Sequence, residues 1–138
     1  MSTLTGFFKG SGTHLGVFCP NDYLIAVFPV IEAARILRDA KIGALLVSGE
    51  DGRYIGVLSE TDLVRKVLAA ERDASRVLVS EVMMAPIITI EIDRSAHDAS
   101  DLMAERAIRH LAVTEDGHIV GMLSVRDLLR YFKNWGRL

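Results

Sequence analysis

The sequence predicts an α+β protein made of two β-α-β-β-α repeats, packed sheet to sheet about a pseudo-two-fold axis. Three observations carry that prediction. First, a hexapeptide, Ile42-Gly43-Ala44-Leu45-Leu46-Val47, recurs as Ile108-Arg109-His110-Leu111-Ala112-Val113, 66 residues later. Second, Gly56-Val57-Leu58-Ser59-Glu60-Thr61-Asp62-Leu63 recurs as Gly121-Met122-Leu123-Ser124-Val125-Arg126-Asp127-Leu128, 65 residues later. One extra loop residue around Glu50-Asp51-Gly52 accounts for the change of offset, and self-similarity at a fixed period marks a repeat architecture. Third, a three-stranded sheet with both helices on one face leaves its other face bare. A second copy of the unit supplies the cover.

Each copy reads alike along the chain. An amphipathic helix comes first, with Ile31, Ala34, Ile36, Leu37 and Ala40 in copy one and Ala99, Leu102, Met103 and Ala107 in copy two. A short apolar strand follows, Ala44 to Val47 or Leu111 to Val113. The turns Glu50-Asp51-Gly52 and Glu115-Asp116-Gly117 place glycine where positive φ is needed. A second strand, Tyr54 to Leu58 or Ile119 to Leu123, closes the hairpin, and a last helix starts at Ser59 or Ser124. Ile87 to Ile92 is β-branched and follows Pro86, which suits the leading strand of copy two. The leading strand of copy one is open between Leu24–Val27 and a place upstream near Val17-Phe18. The expected organisation is a loosely ordered arm at 1–16, repeat one at 17–71, a linker at 72–80 and repeat two at 81–138.

Composition narrows the function classes. Among 138 residues the formal net charge is −2, which gives no long-range attraction to nucleic acid or anionic membrane. A local basic run at Arg126, Arg130, Lys133 and Arg137 is the only feature pointing the other way. Cys19 is alone, and His14, His97, His110 and His118 share no ligand spacing, so neither a disulfide nor a zinc site is expected. No apolar run approaches the ~20 residues of a membrane span, and the start lacks a signal-peptide pattern, so the expected compartment is the cytoplasm. A phosphate-cradling Gly-x-x-x-x-Gly-Lys-Ser/Thr stretch is absent, and no nucleophile, base and orienting group assemble, so no enzyme is expected.

The chemistry-bearing motif is Gly-h-h-Ser-x-x-Asp, where h is apolar, present in both copies. Ser at a helix start followed three residues later by an acid is a capping-box variant that satisfies orphaned N–H groups. The same geometry suits a nucleotide. Helix N-terminal N–H groups favour a phosphate, and an Asp one turn in can accept from two ribose hydroxyls. Arg109-His110 stands where copy one has Gly43-Ala44, and Arg126 stands where copy one has Thr61, while Glu60 replaces Val125. The second copy is therefore expected to be the better anion site.

The repeat, its hairpin and the Gly-x-x-Ser-x-x-Asp turn resemble the CBS (cystathionine-β-synthase) domain family over roughly Tyr23 to Lys133. Val79-Ser80-Glu81-Val82-Met83 is similar to the family's lead-in to its second repeat, with Met84 in place of the usual Thr. The resemblance implies a non-catalytic sensor that binds AMP, ADP, ATP, NAD or S-adenosylmethionine in clefts between the repeats. It implies that Asp62 and Asp127 hold ribose hydroxyls and that Ser59 and Ser124 lie by the phosphate. It further implies that Thr89, Ile90, Ile42, Gly43, Ala44, Ile108 and Arg109 flank the adenine and that the strand-start pair Arg109-His110 contacts the phosphate, where Arg126, one residue before Asp127, adds a second cation. A homodimer of modules and an unidentified effector protein are the expected partners. The rival reading is a ligand-free dimerisation module.

Overall fold

A computed structural model describes residues 3–5 and 25–135, which fall into two compact units: 25–87, and 88–135 together with 3–5. Most of the expected arm, His14, Cys19, Arg137 and the candidate strand at Val17-Phe18 lie outside the described residues. The class is mixed helix and strand with two sheets, as the alternation of periodicities predicts.

In the first unit a 3₁₀ turn, Ile25–Val27, precedes α1, Val30–Ala40. The hairpin is β1, Ala44–Ser48, with β2, Tyr54–Ser59. The last helix opens as α2, Glu60–Leu63, and runs on as a π-helical turn, Val64–Leu68. A short helix α3, Val79–Val82, follows. α1 buries Val30, Ala33 and Leu37, the i, i+3, i+7 stripe of an amphipathic helix, against Leu45 and Val47 of β1 and Leu58 of β2.

Two expectations change here. The leading strand is not at Leu24–Val27: residues 25–27 are a helical turn with Ala26 in the core. Extended pairing starts only at Phe28 and Pro29. Val79 N–H donates to the Phe28 carbonyl (2.9 Å), Val30 N–H donates to the Val77 carbonyl (2.8 Å), and Pro29 bridges Leu78. The partner of that stretch is the segment expected to be a linker. Val77, Val79 and Val82 are 5%, 0% and 2% exposed within the first unit's core. Three valines that each bury a side chain contribute about 1.5–3 kcal/mol apiece, too much to leave in a solvated tether.

The second unit contains β3, Thr89–Glu91, α4, Ala96–Arg106, β4, His110–Glu115, β5, His118–Ser124, and α5, Val125–Trp135. The sheet order is β3-β4-β5, with β3 parallel and β5 antiparallel to β4. α4 buries Ala96, Ala99 and Met103, the same stripe as α1 moved by 66 residues. Both helices end on a left-handed residue, Lys41 (φ 56°) and Ala107 (φ 53°), where glycine is the usual choice. The β4–β5 turn is Asp116-Gly117, both at positive φ (51° and 78°), a two-residue loop whose twist matches the strands. The first hairpin spans the longer loop between the paired Ser48 and Tyr54, which locates the extra residue.

Residues 3–5 are not a loose arm. Leu4 is fully buried in the second unit's core, its N–H donates to the Arg94 carbonyl (2.8 Å), and Thr3 bridges Ser95. Leu4 therefore does for the second unit what Val79 does for the first, since Arg94 is the counterpart of Phe28 at the 66-residue offset. Among the described residues no helix is long and apolar enough to cross a membrane.

Candidate functional site

Each repeat passes from its hairpin into its last helix at a serine. In the first, the Ser59 N–H and hydroxyl donate to Asp62 Oδ2 (3.0 and 3.1 Å), and the Asp62 N–H donates to Ser59 Oγ (3.2 Å). In the second, the Ser124 N–H and hydroxyl both reach Asp127 Oδ2 at 2.9 Å, and the Asp127 N–H donates to Ser124 Oγ (3.1 Å). Ser sits in extended backbone at the helix start because its short side chain reaches the N3 amide, and Asp returns the bond. Each turn is locked by three hydrogen bonds, two of which fall on one carboxylate oxygen, Oδ2.

The first helical amides are also taken. Glu60 N–H donates to the Gly43 carbonyl (3.0 Å) and Val125 N–H to the Arg109 carbonyl (2.9 Å). From the sequence alone, each helix start is expected to offer free N–H donors to a phosphate. The structure spends the N1 and N3 amides internally, which shifts any phosphate recognition toward side chains. Those bonds also tie Gly43 and Arg109 to the turns that the repeat singled out.

Most of the residues picked from the sequence gather at one end of each sheet. In the second repeat His110 pairs across the hairpin with Ser124, Arg109 meets Val125, and exposed Arg126 precedes half-buried Asp127. Thr89 starts β3 at that same end, paired with Ala112, and is exposed. In the first repeat Ala44 pairs with Ser59, beside Gly43 and Asp62. Ile90 differs from its neighbour: strand alternation turns it into the core, 8% exposed, so that Thr89 alone of that pair offers its side chain outward. Ile42 and Ile108 likewise pack against the cores of their own units. Ala44 is buried as well, at 7% exposed.

Two features escaped the sequence reading. The Lys66 ammonium lies 2.9 Å from Asp62 Oδ1 and donates to the Val82 carbonyl at 2.9 Å. The i,i+4 spacing of Asp62 and Lys66 was the available signal. Tyr131 stands at the corresponding position in the second repeat, and among the described residues no cation pairs with Asp127. The second is another Ser-x-x-Asp capping box, Ser95 with Asp98 at the start of α4. The guanidinium of Arg94, at 3.0 Å, holds the Asp98 carboxyl below its ordinary range, with the Ser95 backbone N–H adding to the effect. Three boxes in one chain show that capping is the common ground state of this motif. What sets the two repeat turns apart is their place at the hairpin-to-helix junction and the serine hydroxyl, which also donates to the Asp Oδ2. Among the described residues no group of His, Cys, Asp and Glu could hold a metal ion.

A pair of α/β repeats, each with a Ser–Asp turn at the hairpin-to-helix junction, defines a tandem-repeat architecture. The family model for the CBS domain matches residues 26–69 and 79–134, and the chain belongs to that family as a CBS-domain pair, a class of regulatory module. The chain is 32% identical over 101 residues to MK0525 of Methanopyrus kandleri, covering 72% of this chain. It spans about half, 52%, of that relative's length. The solved structure of a protein with CBS domains from Burkholderia ambifaria MC40-6 superposes with a TM-score of 0.81 at 29% identity, covering 95% of this chain and 93% of that one. The CBS-domain pair of protein MJ0100, solved with 5′-methylthioadenosine and S-adenosyl-L-methionine, shares the fold at TM-score 0.75, 21% identity and 97% and 98% coverage.

Proposed function

We propose that this CBS pair is a non-catalytic regulatory module that binds an adenine nucleotide at its Ser–Asp turns. The observation that carries the reading is the Asp127 turn. Its carboxylate is fixed through Oδ2, which leaves Oδ1 to accept from ribose hydroxyls, and Arg109, His110 and Arg126 stand beside it. Thr89 at the same sheet end adds a side-chain donor and acceptor. The adenosyl ligands of the MJ0100 pair support the adenosine half of the assignment. Two arginines beside one carboxylate favour AMP, ADP, ATP or NAD, which carry phosphate, over S-adenosylmethionine, whose sulfonium is cationic.

Binding acts by differential affinity. A ligand that crosslinks a strand start and a helix start favours the packing in which both are correctly placed, and a partner protein reads the shift. Val64 and Leu68, 54% and 74% exposed, and Leu129, 64% exposed, lie on the last helices of the two repeats and support a homodimer of modules as the assembly. The proposed compartment is the cytoplasm.

Thermal unfolding against AMP, ADP, ATP, NAD and S-adenosylmethionine tests the reading. A ligand at about 100 times its Kd raises stability by about 2.7 kcal/mol, a clear rise in Tm. The rise is expected with a phosphate-bearing ligand and is expected to vanish in Asp127→Asn. A flat panel favours the ligand-free interaction module, a reading consistent with turns whose capping is already complete.

A further inference from the structure

We propose that Lys66 is a built-in occupant of the first repeat's carboxylate, so that the chain takes one nucleotide, at the second repeat. The inference rests on the nucleotide reading above and concerns how many sites the module offers.

The two turns match atom for atom until the second carboxylate oxygen. Both aspartates spend Oδ2 on their serine. At Asp62 the remaining Oδ1 receives the Lys66 ammonium at 2.9 Å, on a side chain only 12% exposed, whereas the counterpart of Lys66 at Asp127 is Tyr131. A ribose hydroxyl at Asp62 must therefore displace an ammonium from a poorly hydrated carboxylate, giving up an ion pair for a hydrogen bond from a neutral donor. The ammonium is anchored a second time, on the Val82 carbonyl at the end of α3, and that acceptor is orphaned if Lys66 swings away. The neighbouring charges agree with this. Where the second repeat offers Arg109 and Arg126, the first has Gly43 and Thr61, and Glu60 adds a negative charge at the helix start. Lys66 thus fills from within the acceptor position that a ribose hydroxyl would otherwise take. The first repeat becomes a fixed half against which the second responds.

Isothermal titration of the full chain with AMP reads the stoichiometry directly. The wild type is expected to bind one AMP, and Asp127→Asn is expected to weaken it by about tenfold or more. Lys66→Met is expected to add a second, weaker binding step, and Lys66→Met combined with Asp62→Asn to remove it. Lys66→Arg keeps the ion pair and is expected to retain a single step. Thermal unfolding of each variant confirms that it is folded, since Lys66 is half exposed and its truncation leaves no cavity. Two sites in the wild type overturn the proposal. So does Lys66→Met with still one site, which leaves the nucleotide reading intact. Absence of binding by every variant overturns the nucleotide reading and this inference with it.

Discussion

Replacing Leu4 by alanine tests whether the second unit depends on residues far from it in sequence. Leu4 is fully buried among Ile90, Ile92, Ala96, Leu111 and Val113, with its backbone bonded to Arg94. Removing a fully buried leucine side chain costs the transfer free energy of its methylenes and the cavity left behind, about 3 kcal/mol within a range of roughly 2–5. In a domain of this size that corresponds to a fall in Tm of about 10 °C. Urea unfolding gives the free energy, and hydrogen exchange says where it is lost. Amides of Leu111, Val113 and Leu123 are expected to lose protection while those of Leu45, Val47 and Leu58 keep theirs. Val79→Ala, its counterpart in the first unit, is expected to show the reverse pattern. A loss below about 0.5 kcal/mol, the range of an exposed substitution, would refute the seating of Leu4.

Two further outcomes follow from local geometry. Ala107→Gly relieves a left-handed alanine at the end of α4 and is expected to stabilise by about 0.5–1 kcal/mol in urea unfolding; a loss of stability counts against the φ of 53°. Acid stability reports on the exposed carboxylates. Asp98 is held low chiefly by the Arg94 hydrogen bond and Glu81 chiefly by the Leu78 backbone N–H, so both have folded pKa values below their unfolded ones. Their contribution is complete above the ordinary carboxylate range and is lost as pH falls through and below it. Tm measured from neutral pH down to about pH 3 is expected to fall less steeply in Asp98→Asn than in the wild type. Parallel curves would remove Asp98 from the account.

The parts of the fold that were legible are those written in short-range patterns. The first helix was legible as an element but its stripe only in part: of Ile31, Ala34, Ile36, Leu37 and Ala40 only Leu37 is fully buried, with Val30 and Ala33 beside it, while Asp116-Gly117 spells its own turn. The Ser–Asp caps are local too, since partners three positions apart suffice to close them. What stayed hidden depends on partners distant in sequence. Leu4 sits in a segment with Gly6, Gly10, Gly12 and Gly16 and shows no period, so nothing near it announces burial. Val77 and Val79 alternate like a strand, but their partner is a two-residue stretch beside Pro29, too short to read as one. Of the candidate site, the residue types and their register were visible. The use of each carboxylate oxygen was not, because Lys66 reaches both its own helix and the Val82 carbonyl.

The seating of Leu4 also fixes an order of events during synthesis. Its bond to Arg94 closes a loop of about 90 residues, an entropic cost on the order of 4 kcal/mol before any constant. Among the described residues, the first unit's core lies wholly within 25–87, which can be complete while β4 and β5 are still untranslated. Leu4 emerges earlier than any of its partners and must wait, exposed, until the last strands and α5 arrive. A bulky fusion placed directly before it would burden the second unit, although it lies at the opposite end of the sequence.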